Sequence, residues 1–305
     1  KNREYLVYKP ESCQNKGCPV LFMFHGLESN AQQAASAYYN WQATADQNNF
    51  LVVYPESLTQ TAKSVWGITY DLPGKHWDIA NIGLPLNQRY DSTDVQFFLQ
   101  MLNELDSNPD YPILKTHVYA VGHSYGAFFS YYLATSRPNE VTAFASWAGG
   151  LVNYLWYQFP IPARSATQHS TPGILLSSTG DSIVQHQWTL NLSAELKNKG
   201  QQHELVVLPA ALNHNWDASK NQSIWNFLLA HSPALPQPEP EPEPVIVKAS
   251  FSKASDSGLE SVGTVPVSVV LDQPSTVPVV VTISTSGTAT VVTDYNISAK
   301  TLTFN

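Results

Sequence analysis

Cysteine and methionine are nearly absent, with two of each among 305 residues, which excludes a scaffold held by several disulfides. Two thiols leave a four-ligand zinc shell half empty, no histidine lies near them in sequence, and no His-Glu-x-x-His run occurs anywhere. No catalytic metal is expected. Charge is also sparse: 16 Lys and Arg stand against 24 Asp and Glu, for a formal net charge of -8. That balance has no basic excess to neutralise phosphates, so nucleic acid is not an expected partner, and a neutral or weakly charged substrate fits better. No apolar run approaches the roughly 18 residues needed to cross a bilayer, and none at the start resembles a signal peptide. The chain reads as soluble, and its abrupt start at Lys1 is compatible with a leader already removed.

What is present is apolar and aromatic. Hydrophobic residues make up 43% and aromatics 11%, enough to bury a substantial core. After Ser232 the composition changes to alternating proline and glutamate, and all eight tryptophans lie before that change. The expected organisation is a large domain over 1–232, a stiff polyproline-type spacer over 233–244, and a small β module over 245–305 rich in Val, Thr and Ser. Cys13 and Cys18 flank the turn-like Gln14-Asn15-Lys16-Gly17. A disulfide is the favoured reading, two reduced thiols in a surface loop the alternative. A disulfide would agree with a secreted protein.

Short apolar runs recur at Val20-Phe24, Phe50-Tyr54, His117-Val121, Ala143-Trp147, Ile174-Ser178 and Leu205-Leu208, mostly separated by enough chain for a crossover helix. They lack polar alternation, as strands covered on both faces do, so the fold class is α/β with a doubly wound, mostly parallel sheet; Glu4-Tyr8 adds an edge strand. Val95, Phe98, Leu99, Leu102 and Leu105 fall at helical spacing behind Ser92 and Thr93, with Asp94 at the helix start. Tyr125 to Ala134 is apolar nearly all round and predicts a buried helix.

Directly between the strand ending at Val121 and that buried helix stands Gly122-His123-Ser124-Tyr125-Gly126. A serine nucleophile must protrude from a tight strand-to-helix turn, and glycines two positions either side relieve crowding where the turn doubles back. A hydroxyl needs a base to take its proton, and His214, in Asn213-His214-Asn215-Trp216 after a late strand, is the best placed of nine histidines. Its loop position would leave the ring free to move. Asp181, just past the strand Ile174-Ser178, is the acid that orients the imidazole, with Asp217 and Glu204 as fallbacks. The amides of Tyr125 and of Leu27, in the turn after the first core strand, would bind the developing oxyanion. Trp77, Trp156 and Trp216 could line a substrate site, although core packing is the commoner fate of any one tryptophan.

These residues resemble the polyhydroxybutyrate-depolymerase-like esterases, a family that includes feruloyl and acetylxylan esterases. The likeness covers about residues 3–231 and rests on Leu21-Phe22-Met23-Phe24-His25-Gly26, Phe50 to Glu56 with Trp41 before it, the serine elbow, Ala143 to Gly150, Gly180-Asp181 and His214-Asn215-Trp216. Two departures stand out: Leu27 where many relatives carry cysteine, and Asn213 in place of the glycine often found before the base. The resemblance implies an α/β-hydrolase that cleaves esters through an acyl-enzyme without a cofactor. Its expected partner is a polymeric ester, a plant cell-wall polysaccharide or a polyester.

Beyond the spacer, Gly287-Thr288-Ala289-Thr290, Asp294-Tyr295 and Thr301 to Phe304 look like the first half of a Calx-β domain, a β-sandwich. The later strands and acidic loop are absent before Asn305, so no calcium site is expected there. A peptidase or thioesterase with the same triad, or a catalytically silent binding or adhesion protein, are the rival readings.

Overall fold

Among the described residues one seven-stranded sheet and six α-helices build the larger of two units in the computed structural model, which describes residues 3–13, 17–60, 63–65, 68–71, 74–79, 90–153, 158–167, 170–235, 246–259, 261, 263–297 and 300–305. Two compact units result, Lys1–Leu235 and Pro236–Asn305.

In the first unit the strands are β1 (Tyr5–Tyr8), β2 (Cys18–Phe24), β3 (Leu51–Pro55), β4 (Ile113–His123), β5 (Ala143–Trp147), β6 (Gly173–Ser178) and β7 (His203–Leu208). They form one sheet in the order β1-β3-β2-β4-β5-β6-β7. Only β1 runs antiparallel to its neighbour; every other pairing is parallel. Every residue of β2, β3, β5 and β6 is buried, which is why these strands read as unbroken apolar runs rather than alternating ones.

The helices are α1 (Ala31–Ala34), α2 (Trp41–Asn48), α3 (Thr93–Ser107), α4 (Tyr125–Ser136), α5 (His186–Asn198) and α6 (Asn221–Ala230). Ser92 caps α3 by accepting the Val95 amide at 3.3 Å. Val95, Phe98, Leu102 and Leu105 face the core as their spacing predicts, while Phe97 is buried more fully than Leu99. Asp94 at that helix start is buried, and Arg3 holds it at 2.5 Å, tying the segment before β1 to α3. All of α4 from Gly126 to Ser136 is buried.

Cys13 and Cys18 are joined by a disulfide at the start of β2. Three short antiparallel pairs were not legible as strands: Leu58–Gln60 with Gly74–His76, Lys63–Val65 with Ile68–Asp71, and Val152–Asn153 with Gln158–Phe159. They stand on connections between strands of the main sheet, where too few residues repeat for a period to show. No helix among the described residues is long and apolar enough to cross a membrane.

The strands described in the second unit form short antiparallel pairs. Ala249–Phe251 pairs with Val269–Leu271, and Val279–Thr282 with Thr301–Phe304, both antiparallel. None of its described residues is buried, so these pairs enclose no core. Most of the proline spacer, from residue 236 to 244, lies outside the described residues.

Candidate active site

The elbow is built by collision avoidance. A Cβ at Gly122 would strike the Gly126 carbonyl, and one at Gly126 would strike the carbonyls of Phe24 and His25. With both side chains absent, β4 can turn into α4 inside two residues. Ser124 at the apex has φ 57° and ψ -123°, a left-handed conformation that costs a serine on the order of 1–3 kcal/mol and is held by its surroundings. Its amide donates to the Trp147 carbonyl at 2.9 Å, and its carbonyl accepts the amides of Ala127 and Phe128.

The residues expected to serve as acid and base, Asp181 and His214, meet. Asp181 Oδ2 accepts from His214 Nδ1 at 2.7 Å, with the carboxylate side chain fully buried and the imidazole 17% exposed. Asp181 Oδ1 accepts the amides of Ile183 and Val184 at 2.9 and 2.8 Å, so both oxygens are committed and the carboxylate cannot rotate freely. Because Nδ1–H donates to the carboxylate, the neutral ring presents a lone pair at Nε2, the form a general base needs. Gly180 lets this loop come close: a Cβ there would strike the Ala210 carbonyl, on the segment leading to His214.

His123, inside the elbow, links His214 to the turn that carries Ser124. Its Nε2 lies 2.9 Å from the His214 carbonyl and its Nδ1 2.9 Å from the Tyr39 hydroxyl. A carbonyl only accepts, so Nε2 carries the proton and Nδ1 accepts from Tyr39. Burial, then the nearby His214, push the His123 imidazole down to about 4, so it stays neutral at ordinary pH. The rings of His123 and His214 are 5.0 Å apart, which brings the base beside the residue preceding Ser124. Among the described residues no hydrogen bond joins Ser124 Oγ to the His214 ring; such contacts are often long before substrate closes the site.

Contrary to the freedom its loop position suggests, the base segment is pinned at four consecutive residues. Asn213 Oδ1 accepts from Ser182, the His214 carbonyl from His123, and the Asn215 carbonyl from Trp147 Nε1 at 3.1 Å, while the Trp216 amide donates to Tyr38 at 2.7 Å.

On the other side of Ser124 lies the Gly26-Leu27 turn. A methyl at Gly26 would sit 3.3 Å from Ser124 Cβ and 3.8 Å from its Oγ, so the turn and the nucleophile are in near contact. Its backbone is fixed from both sides. His25 Nδ1–H donates to the Gly26 carbonyl at 2.8 Å, its Nε2 accepts the Ser57 amide, and Trp77 Nε1 donates to the His25 carbonyl. Glu28 exchanges hydrogen bonds with the backbone of Lys75, whose ammonium also pairs with Glu56. Leu27 turns its side chain outward, 46% exposed, and Tyr125 is half-buried beside His76.

Two of the proposed substrate tryptophans have another task. Trp77 is fully buried between Phe24 and Phe129, and Trp216, 5% exposed, packs on Trp147 and Tyr39 behind the base. Their faces are covered by protein and offer no wall to a substrate; each reaches the site only by bracing its backbone. Trp156 lies outside the described residues. His123, Tyr38 and Tyr39 went unassigned by sequence reasoning, although a histidine inside a buried strand-to-helix turn is itself a sign of a committed hydrogen-bond partner. Among the described residues no cluster of His, Cys, Asp and Glu could hold a metal ion.

Comparison with known proteins agrees with this architecture. The chain is 26% identical over 187 residues to the bifunctional acetylxylan esterase/xylanase XynS20E of Neocallimastix patriciarum, covering 61% of this chain and 22% of that protein. It is 28% identical over 177 residues to an acetylxylan esterase of Coprinopsis cinerea, covering 56% of this chain and 42% of that protein. The chain thus spans less than half the length of either relative. Among solved structures, esterase PE8 superposes with a TM-score of 0.52 at 12% identity, over 75% of this chain and 98% of that one, a likeness of fold. The Esterase family model matches residues 1–225, and the chain belongs to that family.

Proposed function

We propose that this chain is a secreted serine carboxylic-ester hydrolase that works through an acyl-enzyme on acetyl or feruloyl esters carried by cell-wall polysaccharide. The observation that carries the reading is the 2.7 Å pairing of Asp181 with His214, whose backbone carbonyl is bonded to the residue next to Ser124. In this mechanism Ser124 Oγ attacks the ester carbonyl as His214 Nε2 takes its proton. Asp181 stabilises the imidazolium, and the amides of Leu27 and Tyr125 receive the oxyanion. The alcohol leaves with the proton from His214, and water, deprotonated by the same ring, releases the acid and restores Ser124.

The acyl class is supported by the acetylxylan esterase relatives, and export by the Cys13–Cys18 disulfide. The β unit after the spacer, read as a partial Calx-β module, would act as a spacer-linked appendage outside the chemistry. The test is a substrate panel of acetylated xylan, methyl ferulate and polyhydroxybutyrate film, run with the full chain and Ser124→Ala. Release of acetate or ferulate by the wild type alone is expected, with the variant down by a factor on the order of a million. Turnover of the polyester but neither cell-wall ester would overturn the acyl assignment, and equal activity in both proteins would overturn the nucleophile.

A further inference from the structure

Asn213 has φ 51° and ψ -130°, a conformation that side chains other than glycine adopt reluctantly, and it does so at an exposed position where burial does not enforce it. Its side chain makes the contacts that account for its presence. Oδ1 accepts from the Ser182 amide at 3.0 Å and from the Ser182 hydroxyl at 3.2 Å. Ser182 directly follows Asp181, and Asn213 directly precedes His214. One amide group therefore bridges the acid loop and the base loop a single residue outside the Asp181–His214 bond. Among the described residues these two contacts and that bond are the only hydrogen bonds joining residues 181–184 to residues 211–216.

The other pins on the base segment run elsewhere: His123 and Trp147 tie it to the ends of β4 and β5, and Tyr38 to the connection before α2. They fix His214 relative to the elbow. Nearer the strand ends the acid and base loops are also tied by the Thr179 amide to the Leu208 carbonyl and by the Ser178 hydroxyl to the Pro209 carbonyl, which leaves two links at the Asp181–His214 pair itself. Of those, the ion pair has to accommodate charge forming on the imidazole during each turnover, while the Asn213 bridge stays the same throughout.

We propose that Asn213 is a positioning residue that sets the acid loop against the base loop through its two bonds to Ser182, holding Asp181 and His214 in register while the imidazole charges and discharges. The proposal rests on the catalytic reading of Ser124, Asp181 and His214. A strained backbone is retained because the side chain it presents is the latch, so stability and turnover should part company when that side chain is removed.

The experiment measures p-nitrophenyl acetate hydrolysis by the full chain and by Asn213→Gly, Asn213→Ala and Ser124→Ala. Concentrations of the proteins that keep Ser124 are normalised to sites labelled by a p-nitrophenyl phosphonate, that of Ser124→Ala to total protein, and Tm is recorded for each. Asn213→Gly loses the acceptor but also the strain. Its kcat should fall about tenfold, the scale expected when reacting groups lose alignment, with KM within about twofold and a Tm no lower than wild type. Asn213→Ala keeps the strain without the latch, so its kcat should fall as far and its Tm should drop as well. Wild-type kcat per labelled site in Asn213→Gly, with Ser124→Ala inert, would overturn the latch and leave the triad standing. A loss in Asn213→Gly that merely tracks a lowered Tm would also overturn it. Activity in Ser124→Ala would instead show that the catalytic reading beneath the proposal has failed.

Discussion

His123 shows how much of this site is set by neutral hydrogen bonding rather than by charge. Its ring must be neutral to accept from Tyr39 while donating to the His214 carbonyl. Its folded value of about 4 lies below the 6.5 of an exposed imidazole, so the unfolded chain binds the proton more readily. Stability is then fully present above about 6.5 and is lost as pH falls toward about 4. The loss from this ring alone is about 2 kcal/mol by pH 5, given its value of about 4. Burial also holds His25 and His117 low, which adds to the slope. Urea unfolding of wild type and His123→Gln at pH 7.5 and pH 5 checks this: the wild type should lose more stability on acidification, by about that 2 kcal/mol. Parallel losses in the two proteins would contradict it. From sequence, His123 could be placed in the elbow but not given a partner, because Tyr39 and the His214 carbonyl lie 84 and 91 residues away. The same distance hid the core tasks of Trp77 and Trp216: sequence proximity to a base says nothing about which face of a ring is covered.

At the scale of elements, the strand-turn-helix made by β4, Ser124 and α4 was legible because its constraints are local. A buried strand, two glycines at fixed offsets and a helix apolar all round leave one way to fold. The glycine requirement is steric, since an added methyl at Gly126 meets backbone carbonyls of Phe24 and His25 rather than a side chain that could swing away. Gly126→Ala should therefore lose about 3 kcal/mol in urea unfolding, whereas Ala127, its buried neighbour, already carries that methyl without conflict. A wild-type unfolding midpoint for Gly126→Ala would mean that β2 and α4 are less closely packed than described. The short antiparallel pairs over residues 58–76 and 152–159 were not legible. Runs of two to four residues carry no period.

For the molecule as a whole, composition alone separated a folded unit from the β-rich segment beyond the spacer, and the two units divide at Leu235 and Pro236. The parallel sheet was legible because buried strands leave continuous apolar runs. The second unit resembles half of a Calx-β sandwich in its short motifs, but with no described residue buried its two antiparallel pairs enclose no core whose pattern could fix a topology. Every group assigned to the chemistry, from Leu27 to His214, lies in the first unit. That unit stands or falls on one covalent event. Brief incubation of the full chain with p-nitrophenyl acetate, acid quenching and peptide mapping by mass spectrometry would locate the acyl group. A single acetyl adduct is expected on the peptide containing Ser124, confined to that hydroxyl and lost in His214→Ala. An adduct on another residue, or undiminished acylation of Ser124 without His214, would contradict it.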